Sequence, residues 1–202
     1  MEEMIFKARK MCCEMLADRN YVIPENEENI SFENFKVRHQ NNDLDLYVEH
    51  SEDSNNKIYV RFFFGKKRIN ESDFKKEKDI INKRIKLENE KINYIFITQD
   101  KSSANVSNTV GSGAYSNIEL FELKILQFNA TKHKLQPKFE MVKKSEEANI
   151  LEFWNCPSKS RFPTMLHSDP IARYYGLRPG DLIKIIRTSS QTGHQIVYKQ
   201  IK

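Results

Sequence analysis

The stretch "SDPIARYYGLRPGDLIKIIR", residues 168–187, compresses a helix start, a helix stop, a tight turn and a buried strand into twenty positions. Ser168 or Asp169 can accept from the orphan amides of a first turn, and Pro170 suits the first helical position, where its missing N–H is not needed. The helix over "PIARYY" is hardly two turns long. Gly176 can take the left-handed conformation that ends it, and Leu177 can fold back as the hydrophobic contact of a Schellman-type stop. In "RPGD", Pro179 and Gly180 stand in the order of a tight turn. "DLIKIIR" then reads as a strand, "TSSQTGHQ" as a hairpin loop and "IVYKQIK" as the partner strand. The predicted product is a small, rigid α+β module, suited to displaying a surface.

Upstream of it, "NCPSKSRFPT" is a proline-punctuated linker, and Ser145 is the expected cap of a helix with Glu146 and Glu147 in its first turn, where carboxylates favour the dipole. Ile150, Leu151 and Trp154 form its apolar side. Residues 124–202 are read as this C-terminal domain and residues 1–123 as an α/β domain. In the latter, residues 2–19 place Met4, Ile5, Ala8, Met11, Cys12, Met15 and Leu16 at the spacing of an amphipathic helix. That spacing predicts one of the adjacent cysteines facing the core and the other flanking it. "DLDLYVEH" and "IYVRFFFG" read as strands around the polar turn "SEDSNNK". A helix over 73–90 carries Phe74, Glu77, Ile81 and Ile85 on one face, and "INYIFITQ" is a strand buried on both faces. Strand, helix, strand at these lengths predicts a βαβ unit. "IELFELKILQF" is expected to be a last strand crossing into the second domain.

With 39% hydrophobic and 30% charged residues, the chain has a globular composition. Its apolar runs are shorter than ten residues and its N-terminus opens with acids, so neither a membrane span nor a secretory leader is expected. Cys12, Cys13 and Cys156 are odd in number and lack zinc spacing, which fits a reducing compartment. Charge is uneven. Residues 124–202 hold 14 Lys and Arg against 6 Asp and Glu, while the remainder holds 19 against 22, so the basic part suits an acidic partner.

A metal-dependent nuclease of this layout needs an acid on one strand and a Glu-x-Lys on the next. Asp43, Asp45 and Glu49 supply acids, but "IYVRFFFG" supplies neither carboxylate nor lysine. The five histidines, His39, His50, His133, His167 and His194, are scattered, and "GSG" at 111–113 is too short for a phosphate loop. Lys66, Lys67 and Arg68 follow one strand, while Lys101, Ser102 and Ser103 follow another. In an α/β layout these two loops can share one edge, where lysines and hydroxyls can touch phosphates without reading bases. A free-standing DNA-binding adaptor is therefore an alternative reading, with the nuclease behind it.

The opening stretch resembles the C-terminal module of the fifth shared subunit of eukaryotic nuclear RNA polymerases and of its shorter archaeal counterpart. The resemblance lies on Asp169, Pro170, Ala172, Tyr174, Gly176, Leu177, Gly180, Lys184, Ile185, Ile186 and Arg187, continuing through "TSSQTGHQIVY" and back into "ATKHKLQPKFEMV". "LADRNYVI" is similar to the family's Asp-Arg-Gly-Tyr segment, with Asn20 replacing the glycine. The resemblance implies an inactive, restriction-endonuclease-like jaw domain followed by an assembly domain, in a noncatalytic polymerase subunit without cofactor or metal. It implies docking on the largest subunit and other polymerase subunits, beside downstream duplex DNA and away from membranes. Arg173, Tyr174, Tyr175 and Arg187 are then the docking contacts. Asp169, Pro170, Gly176, Gly180 and Ile185 maintain the docking fold, and Lys66, Lys67, Arg68, Lys101 and Ser102 lie near DNA. The heavy Lys/Asn/Ile usage resembles a homologue of the African swine fever virus kind, placed in host cytoplasm and virion; a cellular member would be nuclear.

Overall fold

The computed structural model describes residues 1–64, 70–85, 92–99, 106, 110, 113–189 and 193–202. They form two compact units, Met1–Phe128 and Asn129–Lys202.

The first unit opens with α1 (Glu2–Asp18), α2 (Glu25–Glu28) and α3 (Phe32–Gln40). There follow β1 (Leu46–Glu49), β2 (Lys57–Phe63), α4 (Glu71–Ile85), β3 (Ile92–Thr98) and β4 (Ile118–Glu122). The sheet order is β1-β2-β3-β4, antiparallel at β1 and parallel elsewhere. The expected βαβ unit is β2-α4-β3. Phe74 and Ile81 of α4 pack with Tyr59, Tyr94 and Phe96 on one face of this sheet. Ile58, Val60, Ile95 and Ile97, in the opposite phase, are buried as well, so the apolar runs are covered on both faces. Both Cys12 and Cys13 are buried, whereas the spacing predicted only one facing the core. Burial pushes both thiols up, Cys13 to about 11, which leaves them protonated and unreactive.

Two boundaries differ from the sequence reading for local reasons. The helix α4 starts at Glu71 rather than 73, because Asp73 is its third residue and its carboxylate reaches back to accept from the Asn70 amide at 3.0 Å. The Ile85 side chain lies outside the described residues. The segment "IELFELKILQF" is a strand only to Glu122. Residues 125–127 turn instead, with Leu126 buried and the Gln127 amide donating to the carbonyls of Met4 and Leu123. These bonds hold residues 124–128 in the first unit.

The second unit contains β5 (Lys138–Met141), α5 (Glu147–Phe153), β6 (Thr164–Met165), α6 (Pro170–Tyr174), β7 (Leu182–Ser189) and β8 (Gly193–Ile201). Its sheet order is β5-β7-β8-β6. Ser145 does not cap α5: Glu146 holds the N-cap position, and no side-chain cap bond is made. The strands β7 and β8 extend into "TSSQTGHQ", pairing Thr188 with His194 and Ser189 with Gly193, because this end of the ribbon is solvated and tolerates polar side chains. On one sheet face, Ile171, Ala172 and Leu177 pack with Ile183 and Ile201, flanked by Phe139, Met141 and Met165.

Candidate functional site

Around α6 the local geometry is determined by side-chain and backbone caps. Asp169 accepts from the Ile171 amide at 2.8 Å, and Pro170 occupies the first turn. Gly176 has φ 63°, its N–H donates to Arg173 O at 3.1 Å, and Leu177 N–H reaches back to Ala172 O at 2.9 Å. That pair of bonds is a Schellman stop. Gly180, at φ 94°, then lets Asp181 N–H close the turn on Arg178 O at 2.9 Å. Gly180 also anchors the turn: its N–H donates to Ile201 O, and its carbonyl accepts from Lys159, which pairs with Glu147 at 2.8 Å. Ile185 is fully buried in the sheet.

The four side chains expected to dock do not act alike. Tyr174 is buried, and its hydroxyl accepts from the Asn129 amide at 3.0 Å, so it is part of the unit's interior rather than a contact surface. Tyr175 is half-buried, packs against the same core and donates to Phe139 O at 3.4 Å. Arg173 is half-buried and Arg187 exposed. Arg187 lines a cleft of about 320 Å³ with Lys199, Asp169, Phe139 and Ile185.

On the opposite sheet face Trp154, expected on the apolar side of its helix, stands exposed beside Phe153, Ile196 and Tyr198, which the sequence reading did not single out. Phe153 is 82% exposed, Trp154 46% and Ile196 42%. Together with Tyr198 and Ile150 they line a groove of about 710 Å³ beside α5. Phe153 and Phe162 flank an edge-on Trp154–Tyr198 pair whose ring centroids are 6.2 Å apart. Lys184 and Lys138 bond to Glu140 at the groove's margin, and these hydrogen bonds hold its carboxyl below the ordinary range. The signal in the sequence was "EFW": two large adjacent aromatics at a helix end cannot both face one core stripe.

In the first unit the acids of "DLDLYVEH" do not assemble a metal site. Asp45 accepts from Tyr59 at 2.8 Å, Arg61 at 2.7 Å and the Phe62 amide at 3.3 Å. Arg61 also bonds Glu77 of α4 at 3.2 Å. An arginine thus stands where a nuclease would present Glu-x-Lys, and the carboxylates brace helix to sheet. Among the described residues, no group of three or more His, Cys, Asp or Glu could hold a metal ion. Lys66, Lys67, Arg68, Lys101, Ser102 and Ser103 lie outside the described residues.

Residues 2–81 match the family model described as RNA polymerase Rpb5, N-terminal domain, and residues 128–201 match RNA polymerase Rpb5, C-terminal domain. The chain is 30% identical to "DNA-directed RNA polymerase subunit 5-like protein 1" of Arabidopsis thaliana, over 96% of this chain and 94% of that protein. It is 29% identical to "DNA-directed RNA polymerases I, II, and III subunit rpabc1" of Dictyostelium discoideum, over 96% and 95%, respectively. The corresponding subunit RPABC1 of Caenorhabditis elegans is 28% identical, over 98% and 95%. With both domain models matched in order and relatives aligned along nearly the whole length, the chain belongs to the RNA polymerase Rpb5 family of noncatalytic, structural polymerase subunits.

Proposed function

We propose that the second unit docks this chain on the largest subunit of a DNA-directed RNA polymerase, while the first unit stands beside downstream duplex DNA and touches it weakly, without sequence preference. The observation that carries the docking reading is the exposed aromatic groove of Phe153, Trp154, Ile196 and Tyr198 on a small, heavily capped module. Exposed aromatics next to a rigid scaffold are the anchors protein interfaces use. The DNA reading is supported by the sequence alone, through Lys66, Lys67, Arg68, Lys101 and Ser102. The Lys/Asn/Ile-rich composition supports a virus-encoded member working in host cytoplasm and carried in the virion; a cellular member would work in the nucleus.

Affinity purification of the full chain from its own cells, followed by identification of partners, tests the assignment. Recovery of a stoichiometric multisubunit polymerase, with the largest subunit as the neighbour cross-linked to residues of the second unit, is the expected result. Recovery of DNA without polymerase subunits would replace this reading with the adaptor.

A further inference from the structure

The strand β8 is paired along one edge and nearly bare along the other. Its register with β7 runs unbroken from Leu182↔Gln200 to Ser189↔Gly193. Ile201 N–H donates to Asp181 O at 2.9 Å, so the odd-numbered residues of β8 turn their backbone toward β7 and the even-numbered ones turn it outward. At the C-terminal end those outward groups are taken. Gln200 N–H donates to Pro163 O, Lys202 N–H to Met165 O, and His167 N–H to Lys202 O. Strand β6 stops there, pairing only with Gln200 and Ile201. Among the described residues, no backbone partner meets the outward groups of His194, Ile196 and Tyr198. Folded proteins usually blunt such an edge with a proline, a bulge or extreme shortness. Residues 193–199, "GHQIVYK", contain no proline and pair without a bulge.

We propose that this edge is a strand-addition site: an extended segment of another polymerase subunit, apolar at alternate positions and acidic between them, pairs with His194, Ile196 and Tyr198. The proposal rests on the reading of the chain as a polymerase subunit and names the docking surface. The bare N–H and C=O groups select an extended backbone. The two sheet faces select its side chains. Ile196 and Tyr198 project onto the face with Trp154 and Phe153, so every second residue of an added strand lies against the aromatic groove. The intervening residues lie on the face of Val197, Lys199 and, across the hairpin, Arg187. Residues 182–202 contain four Lys and Arg and no Asp or Glu, and neither Arg187 nor Lys199 has a carboxylate partner among the described residues. Charge complementarity therefore calls for acids at that phase.

The test uses the full chain, tagged and assembled into polymerase in its own cells. Amide hydrogen exchange is the direct readout: the Ile196 and Tyr198 amides exchange freely in the isolated chain and slow by more than roughly tenfold in the polymerase. Ile196→Pro removes an outward N–H without breaking a bond to β7, and lowers salt-resistant retention of the subunit by roughly tenfold. Lys199→Glu weakens retention in the same direction. Wild-type chain that fails to copurify with polymerase overturns the subunit reading itself. If wild type copurifies but its edge amides stay fast in the complex, the edge proposal alone falls. Protection of the same amides in the isolated chain, together with a dimer's mass, makes a second copy the occupant and also overturns it. The exchange measurement needs no substitution, so it remains decisive even where the proline variant misfolds.

Discussion

Asn20 and Gly176 perform the same backbone task at the ends of two helices. Asn20 has φ 66°, and the following Tyr21 N–H reaches back to Leu16 O at 2.9 Å; Gly176 has φ 63°, and Leu177 N–H reaches back to Ala172 O. Both are left-handed stops, which explains physically why a glycine suits the position where this chain carries Asn20. Asn20→Gly is expected to stabilise the first unit by about 0.5 kcal/mol, read as a higher urea midpoint. A β-branched residue is far worse there. Gly176→Val should cost about 2 kcal/mol and lower incorporation into polymerase, measured by urea unfolding and by the yield of copurified subunit. Normal incorporation and an unchanged midpoint would discard this stop as a determinant of the docking fold. The Gly176 stop was legible in the sequence because it needs only neighbours within five residues. The placement of Tyr174 and Tyr175 was not legible, because it depends on Asn129 and Phe139, dozens of residues away.

Elements were readable in proportion to their length and to the purity of their pattern. The helix α1 and the strands β2, β3 and β7 carry long periodic runs and stand where the sequence puts them. The short strands β5 and β6 escaped. Lys138–Met141 does alternate, with Phe139 and Met141 on the core face and Lys138 and Glu140 together on the other, but four residues are too few to distinguish a period of two from chance. The helix α2 has one turn and no buried residue, so no periodicity could announce it. It is held by charge: Glu27 takes the buried Arg9 with one oxygen and Arg38 at 2.6 Å with the other. Burial would push the Glu27 carboxyl up, but the hydrogen bonds from Arg38 and Arg9 outweigh it and hold the carboxyl below its ordinary value. A depressed carboxylate contributes stability above its unfolded pKa of about 4.3 and loses that contribution as pH falls through the lower, folded value. Glu27→Gln should therefore cost about 2 kcal/mol at pH 7, and its stability should fall less steeply on acidification than that of the wild type. Urea midpoints measured from neutral pH downward should converge. Parallel curves would remove Glu27 as the acid-sensitive brace.

At the scale of the whole molecule, charge is segregated between the two units. Asn129–Lys202 carries 13 Lys and Arg against 6 Asp and Glu, and Met1–Phe128 carries 20 against 22. If net charge alone governed DNA contact, the second unit would be the DNA binder, and Arg187 and Lys199 its leading cations. The proposed division of labour predicts otherwise, because in it those cations meet an acidic protein segment while duplex contact belongs to the basic run of Lys66, Lys67 and Arg68, in a unit that is acidic as a whole. Each phosphate neutralised by a cation changes the slope of log affinity against log salt by about 0.9. Replacing Lys66, Lys67 and Arg68 with alanine in the full chain should therefore flatten that slope by nearly 3, at a weak starting affinity of about 10⁻⁴ to 10⁻⁶ M. Arg187→Glu and Lys199→Glu should leave the slope nearly unchanged while weakening retention in polymerase. Fluorescence anisotropy on a labelled duplex across a salt series reads the first effect, and copurification reads the second. Should the slope respond to Arg187 and Lys199 and ignore Lys66, Lys67 and Arg68, the assignment reverses, and the basic unit becomes the DNA-binding one.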